Sequence, residues 1–122
     1  MVRYITLLLF LLIGCSKESV ELSKLQDRGG LYYKINSEEP YSGTSFELYD
    51  NGQKKSEGTY KDGKEDGLWT GWYDNGQKEI EGTFKDGKPD GLSTLWYENG
   101  QKKQEGTENE WTYWNEDGSL KE

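Results

Sequence analysis

The segment GLWTGWYDNGQKEIEGTF at residues 67–84 sets the architecture of the chain, because its parts return at a fixed interval on both sides. The part around its Asn-Gly pair occurs three times, 24 residues apart, at 49–54, 73–78 and 97–102. A Glu-Gly-Thr triplet follows at the same spacing, at 57–59, 81–83 and 105–107. A fourth, shortened copy at 111–118 matches 69–76 after six residues are removed. The fold therefore has to be derived from this repeat unit.

Each unit is predicted to form a β-hairpin around its Asn-Gly pair. Asn-Gly between alternating aromatic and polar residues favours a type I′ turn, in which both central residues have positive φ. With Asn75 and Gly76 as a two-residue loop, the predicted pairs are Asp74–Gln77, Tyr73–Lys78, Gly71–Ile80 and Trp69–Gly82. A three-residue loop with Gly76 in a bulge would shift this pairing by one residue. The segments 61–67 and 85–91, each with two Asp-Gly pairs, are predicted to be wider surface loops.

The predicted register assigns the side chains of a hairpin to two faces. One face receives Trp69, Tyr73, Ile80 and Phe84, and the other receives Thr70, Trp72, Glu79 and Glu81. Glycines that recur inside the strands indicate close packing over the backbone, and we expect a Trp side chain over each of Gly58, Gly82 and Gly106.

Composition favours strands over helices. After residue 14 the chain has no alanine, and its aromatic residues outnumber Val, Ile and Leu. These observations predict an all-β fold, an antiparallel β-hairpin meander or solenoid of 24-residue repeats in a single-layer twisted sheet. The repeat domain is predicted over 31–122, with units at 43–57, 58–81 and 82–105 and a truncated unit at 106–122.

These motifs resemble the repeat of the MORN-variant, YwqK-type antitoxin family: an aromatic strand, [DE]NGQK, EGTY or EGTF, and then KDGK. Residues 30–33 and 39–43 are similar to the segment that precedes the first repeat in secreted members, so the resemblance covers about 22–122. It implies a twisted run of hairpins that serves for binding. The name antitoxin was given to many members on genomic grounds. The shortened fourth copy departs from the pattern and either caps the sheet or leaves the last hairpin incomplete.

The first residues have the pattern of an export signal. A basic start with Arg3 precedes an apolar run at 5–13, which is too short for a membrane-spanning helix of about 20 residues. The ending Leu-Ile-Gly-Cys at 12–15 resembles the bacterial lipobox. The resemblance implies that residues 1–14 are a lipoprotein signal peptide and that lipid on Cys15 anchors the chain in the membrane. An ordinary export signal followed by an unrelated cysteine is the alternative.

The segment after the signal is predicted to be a tether. Ser16 resembles the sorting signal of outer-membrane lipoproteins, which implies that location in a Gram-negative host. Residues 15–30 are assigned to the lipidated cysteine and the tether, while a helical turn or an edge strand at 20–25 stays open. Cys15 is the only cysteine, so its lipidation leaves no thiol for a disulfide, a metal or catalysis.

The charge of the chain argues against nucleic acid as a partner. There are 15 basic and 23 acidic side chains, a net charge of −8, and removal of the signal takes away Arg3 but no acid, which leaves −9. Such a surface repels phosphate groups. Lysines alternate with glutamates along the strands, and we interpret them as solvated cross-strand pairs and edge protection.

No catalytic site, metal or cofactor is predicted. The chain has no histidine, its cysteine is assigned to lipid, and no Gly-rich phosphate loop stands between a strand and a helix. The remaining candidates for calcium binding or glycoside hydrolysis are turn carboxylates, namely Asp62, Glu65, Asp66, Asp86 and Asp90. Their spacing does not match an EF-hand, and Asp is favoured in Gly-rich turns for backbone reasons.

The aromatic columns carry the binding hypothesis. Tyr49, Tyr73 and Tyr97, with Trp69, are assigned to the core, because a thin sheet with few aliphatic residues has to bury its rings. The column of Trp72, Trp96 and Trp114 points to the other face, and an exposed aromatic stripe commonly marks a binding surface.

Two functions follow from these observations. The first is a lipid-anchored cell-envelope module that binds a protein partner, with an antitoxin or immunity-type role implied by the resemblance. The second is a glycan- or cell-wall-binding lipoprotein, in which exposed Trp and Tyr rings stack on sugars.

Overall fold

The computed structural model describes residues 18–122, so Cys15 and the predicted signal peptide lie outside the described residues. Within 18–122 there is no α-helix, and no helix there is long and apolar enough to cross a membrane. The strands are β1 (Ser19–Glu21), β2 (Leu25–Arg28), β3 (Leu31–Lys34), β4 (Gly43–Leu48), β5 (Lys54–Lys61), β6 (Lys64–Glu65), β7 (Gly67–Trp72), β8 (Lys78–Lys85), β9 (Lys88–Trp96), β10 (Lys102–Thr107) and β11 (Glu110–Tyr113).

Nine strands form one open sheet in the order β1-β4-β5-β7-β8-β9-β10-β11, with β6 paired to β5. From β4 to β11 every strand pairs antiparallel with its neighbour, whereas β1 lies parallel to β4. Strands β2 and β3 form a separate two-stranded hairpin. The prediction of an all-β fold of repeated hairpins in an open sheet is confirmed.

The Asn-Gly turns are three-residue loops and not the predicted type I′ turns. The Tyr73 N–H donates to the Gln77 carbonyl oxygen at 2.8 Å, and the Gly76 N–H donates to the Tyr73 carbonyl oxygen at 3.0 Å. Gly76 has φ +86°, while Asn75 is not among the residues with positive φ. The Asn75 side chain explains this choice, because its Oδ1 accepts the Gln77 N–H at 2.9 Å and so fixes a local turn.

A β-bulge restores the predicted register further along each hairpin. Lys78 pairs with Trp72 instead of Tyr73, and a register shift at Glu79 then leaves the body of the hairpin paired as predicted, Gly71 with Ile80 and Trp69 with Gly82. The equivalent shifts leave Lys55 and Lys103 without a cross-strand partner in the pairings β4–β5 and β9–β10. Because Glu79 lies in the bulge, it does not follow the regular alternation of side chains from which it was predicted to share a face with Trp72.

The Asp-Gly turns are tighter than predicted. Lys61 pairs with Lys64, and Lys85 with Lys88, which leaves Asp62-Gly63 and Asp86-Gly87 as two-residue loops. Both residues of each loop have positive φ, as a type I′ turn requires. The prediction of wide loops at 61–67 and 85–91 is wrong, because the second Asp-Gly pair of each segment lies in a strand irregularity, with Gly67 at φ +90° and Gly91 at φ +88°.

Among the described residues the first strand begins at Ser19, inside the segment assigned to the tether. Both alternatives for 20–25 are present, because β1 is an edge strand and Leu22–Lys24 is one turn of 3₁₀ helix. The β2–β3 hairpin is held on the first Asp-Gly turn, where the Tyr32 N–H donates to the Gly63 carbonyl oxygen and the Gly63 N–H to the Tyr41 carbonyl oxygen, each at 2.8 Å. These backbone bonds order a segment with few apolar side chains.

The core is a run of aromatic rings on the sheet face beneath this hairpin. Tyr41 and Tyr60 are only 2% and 3% exposed. The Tyr60 ring lies 4.9 Å from Tyr32 and 5.2 Å from Trp69, centroid to centroid, and Phe84 continues the run 6.3 Å from Trp69. Burial raises the pKa of Tyr60 well above the ordinary range.

Two of the three strand glycines lie under a Trp ring as expected. A Cβ at Gly58 would overlap the indole of Trp69, and a Cβ at Gly106 would overlap first the Glu110 carbonyl oxygen and then the backbone and indole of Trp111. Gly82 faces Ser93 instead, because the next repeat has serine where Trp69 stands in this one.

Candidate functional site: the Trp–Lys face

The sheet face opposite the aromatic core carries a set of Trp, Lys, Glu and Thr side chains that recurs three times along the sheet, and we call it the Trp–Lys face. Its central row begins with Phe46 on β4 and then alternates carboxylates and hydroxyls from β5 to β11, in the order Glu57, Thr70, Glu81, Thr94, Glu105 and Thr112. The next row contains Trp72, Trp96 and Trp114 with Lys54, Lys78 and Lys102.

Each glutamate of the central row is bound by the lysine three positions before it. Lys78 Nζ lies 2.6 Å from Glu81 Oε2, and Lys54 pairs with Glu57 in the same way. Residues three apart in a regular strand point to opposite faces, so these pairs depend on the intervening bulge. The register irregularity that the Asn-Gly turn requires therefore also assembles the ion pair.

The threonine across the strand completes the carboxylate site. Lys102 Nζ lies 2.7 Å from Glu105 Oε2, and Thr94 Oγ1 donates to the same oxygen at 2.9 Å. Lys102, followed by Thr94, holds the pKa of Glu105 below its usual value. Glu105 is thus charged at neutral pH, and two donors fix the position of its carboxylate.

The structure brings Trp72, Trp96 and Trp114 together in one row on the predicted face, and all three are half-buried. Lys78 Nζ lies 5.8 Å from the centroid of the Trp96 ring, and Lys102 Nζ lies 5.7 Å from that of Trp114. Each of these lysines therefore contacts the glutamate of its own hairpin and the indole of the next hairpin. The distances from the lysine nitrogens to the ring centroids are in the range in which cation–π attraction acts. The binding role of the three Trp residues stays a prediction.

Tyrosines on the other side of the sheet hold the backbone that carries these Trp residues. The bonds run from each tyrosine hydroxyl to the carbonyl oxygen of a Trp in the next hairpin: Tyr49 to Trp72 at 2.5 Å, Tyr73 to Trp96 at 2.7 Å and Tyr97 to Trp114 at 2.9 Å. The tyrosine column is half-buried, and its hydroxyls join consecutive repeats. Burial, followed by the nearby Glu79 and Glu98 carboxylates, raises the pKa of Tyr73.

Sequence reasoning missed two leucines that stand open on this face. Leu68 is 56% exposed and Leu92 is 55% exposed. Leu68 lines a groove with Thr70 and Trp72. Leu92 lies on the same face as Thr94, because residues two positions apart in a strand such as β9 point to the same side. The signal that identifies them is the repeated Asp-Gly-Leu at 66–68 and 90–92, where a large apolar residue follows the Asp-Gly pair in both units.

The turn carboxylates do not gather into a metal site. In the part of the chain that the structure describes, no group of three or more His, Cys, Asp or Glu side chains is placed to hold a metal ion. Asp62 and Asp86 instead occupy left-handed positions of type I′ turns.

An open sheet of stacked hairpins that presents one side-chain set once per hairpin defines a repeat-based binding module. The family model described as MORN repeat variant matches residues 41–62, 65–86 and 89–107, slightly more than half of the chain, and the chain belongs to this family. Each matched segment contains one Asn-Gly turn. No curated protein and no solved structure matches the chain.

Proposed function

We propose that this chain is a lipid-anchored module of the cell envelope that binds a protein partner through its Trp–Lys face. The observation that carries the proposal is the repetition of that face, in which half-buried Trp rings with adjacent Lys–Glu pairs recur every second strand, or about every 10 Å. Such a surface grows with the number of repeats. Trp residues surrounded by charged and polar groups are also the common anchors of protein interfaces.

Membrane anchoring rests on the lipobox resemblance at Cys15. Ser19, the first residue of β1, follows Cys15 by four residues, which span at most about 14 Å when fully extended. Because β1 is one edge of the sheet, lipid on Cys15 would hold that edge close to the membrane. Ser16 favours the outer membrane in a Gram-negative host, and the resemblance favours an antitoxin or immunity-type role.

Ring geometry favours a protein over a glycan. Stacking of a sugar needs a free, flat ring face, and lysines lie over Trp96 and Trp114. A glycan or cell-wall polymer is the second candidate because of one feature, a groove of about 470 Å³ whose lining combines Trp72 with polar side chains such as Thr70 and Glu81. Oligosaccharide sites typically combine such groups with an aromatic wall.

Capture of envelope proteins with the tagged, full-length protein tests the proposal. Leu68→Arg combined with Leu92→Arg blocks the Trp–Lys face at two exposed positions without touching the core. Tyr113→Arg is the matched control, since Tyr113 is 45% exposed on the opposite face. We expect a protein that is enriched by the wild type and by the control and is lost with the double variant. Equal capture by all three proteins contradicts the proposal.

Two further measurements separate the anchor and the second candidate. Cys15→Ser is expected to abolish incorporation of labelled palmitate and to move the protein out of the membrane fraction, and an unchanged distribution contradicts lipid anchoring.

Titration with peptidoglycan fragments while Trp fluorescence is recorded tests whether the protein binds a glycan. A saturable change in emission that Trp72→Ala removes would favour the glycan over the protein partner.

A further inference from the structure

The face opposite the Trp–Lys face carries a pocket that the proposed function does not use. Its volume is about 230 Å³, and its lining is almost entirely apolar. Trp69, Ile80 and Phe84 form its walls, and residues with little or no side chain form its floor, namely Gly71, Gly82 and Ser93. Gly71 and Gly82 are buried, whereas Ile80 at the rim is 43% exposed.

The pocket exists because one repeat lacks a ring that its neighbours have. Gly58 lies under Trp69, which comes from the next strand of the sheet, and Gly106 lies under Trp111 in the same relation. For Gly82 the residue on the next strand is Ser93, which stands one repeat of 24 residues after Trp69. The sheet thus holds a planar ring over glycine at two equivalent positions and leaves the third open.

We propose that this pocket binds one aromatic side chain of a protein partner, placed over Gly82 as Trp69 is placed over Gly58. The pocket exceeds the volume of about 150 Å³ at which an apolar protein cavity accepts benzene. Interface anchors are typically aromatic residues that fill such preformed apolar pockets. Since the chain has a net charge of −8, a segment with Lys or Arg beside the aromatic residue fits better than an acidic one.

Three probes distinguish the occupants: the blocked peptides Lys-Trp-Lys and Glu-Trp-Glu, and free indole. Each is titrated into the isotope-labelled full chain in detergent micelles, and the NMR shifts of the Ile80 methyl groups and the Gly71 and Gly82 amides are recorded. We expect saturable shifts with Lys-Trp-Lys, and several-fold weaker binding of Glu-Trp-Glu. Indole that binds as tightly as Lys-Trp-Lys would assign the pocket to a free small aromatic molecule and overturn the proposal.

Ser93→Trp supplies the missing ring from the chain itself. We expect this variant to lose the Lys-Trp-Lys shifts and to melt at a higher temperature. Leu92→Trp is the matched control, because it adds a Trp at the adjacent position on the other face and should bind the peptide as the wild type does. Ile80→Asn provides a second variant at an exposed position and should weaken binding. Unchanged peptide binding in Ser93→Trp, or shifts that map outside the pocket, would refute the proposal.

The two proposed sites are separable by experiment. The double variant Leu68→Arg, Leu92→Arg lies on the Trp–Lys face and is expected to keep the Lys-Trp-Lys shifts. Ser93→Trp is expected to keep the partner captured through the Trp–Lys face. A variant that removed both activities while remaining folded would contradict two independent sites.

Discussion

In the second and third Asn-Gly turns the asparagine makes two hydrogen bonds that serve different purposes, whereas Asn51 in the first turn makes, among the described residues, only the bond within its own turn. Oδ1 of Asn75 accepts the Gln77 N–H at 2.9 Å and shapes its own turn, while Nδ2 donates to the Glu98 carbonyl oxygen of the next turn at 3.2 Å. Asn99 repeats both bonds. The last turn has Asp117, whose Oδ1 accepts the N–H two residues later at 2.9 Å. A carboxylate shapes the turn as an amide does, but only the amide can donate to a further turn.

Asn75→Asp should therefore destabilise the protein, because the donor is lost and a carboxylate oxygen takes its place opposite the Glu98 carbonyl oxygen. We expect a loss of about 1 kcal/mol in the free energy of unfolding, the usual contribution of one hydrogen bond. Asp117→Asn is the matched control and should change stability by less than about 0.5 kcal/mol. Urea denaturation measures both. If Asn75→Asp has no effect, or if both substitutions cost the same, the bond between turns does not contribute as inferred.

Ionisation of Tyr60 at alkaline pH is expected to lower the stability of the folded protein. Burial, followed by the influence of Tyr32 and two carboxylates, raises the pKa of Tyr60, and burial also raises the pKa values of Tyr32 and Tyr41. A tyrosine in the unfolded chain titrates near about 10. Because the folded pKa is higher, the stabilisation is fully present below about pH 10 and is lost as the pH rises further.

Tyr60→Phe should make the decline of stability above about pH 10 less steep, since Phe has no proton to lose. Urea denaturation across this range, together with tyrosinate absorbance, measures the effect. An equally steep decline in Tyr60→Phe, or a decline that begins well below the ordinary tyrosine pKa, would contradict the assignment.

At the scale of the strand, glycines decide where rings can lie against the sheet. A Cβ at Gly58 would overlap the Trp69 indole, a rigid group fixed by its neighbours, whereas a Cβ at Gly82 would meet the Ser93 Oγ at 2.7 Å. A serine hydroxyl moves away by rotation about one bond. The same substitution therefore has unequal consequences at two positions with the same sequence context.

Gly58→Ala should lower the free energy of unfolding by about 2–3 kcal/mol, the upper range for overpacking. Gly82→Ala should cost less than about 1 kcal/mol, because added strand propensity offsets the rotation of Ser93. Thermal and urea unfolding compare the two variants. Equal losses would show that the ring over Gly58 is not the determining contact.

The repeats, their hairpins and the two faces could be predicted because aromatic and glycine positions recur with the same alternation in each unit. The turn types could not, since Asn-Gly and Asp-Gly both accept positive φ. The strand pairing distinguishes them, because the Asn75 turn is followed by the bulge at Glu79, whereas Lys61 pairs directly with Lys64 across the Asp62-Gly63 turn. A strand from residue 31 could be predicted, but β2 and its pairing with β3 could not, because the hairpin depends on a backbone bond from Tyr32 to the Gly63 turn, a distant part of the chain.

Strand alternation also made one part of the candidate site predictable and left another part out. The face of the Trp72 column follows from strand alternation. The positions of the lysines over the rings do not follow from strand alternation, because only a bulge brings Lys78 and Glu81 to one side of a strand.

At the scale of the whole molecule, the two faces of the sheet differ in chemistry. One buries the aromatic core under the β2–β3 hairpin and carries the pocket at Ser93. The other repeats Trp, Lys, Glu and Thr over successive hairpins, with Leu68 and Leu92 exposed among them. A partner that binds the repeated side chains would therefore contact one face of the sheet, along the direction in which the hairpins stack.

Photo-crosslinking in intact cells tests this arrangement most directly. A photoreactive phenylalanine is placed in the anchored protein at Leu68, at Leu92 or, on the opposite face, at Tyr113. We predict that positions 68 and 92 crosslink to the same protein and that position 113 does not. Crosslinks from position 113 alone, or two unrelated partners at 68 and 92, would contradict a continuous binding surface on the Trp–Lys face.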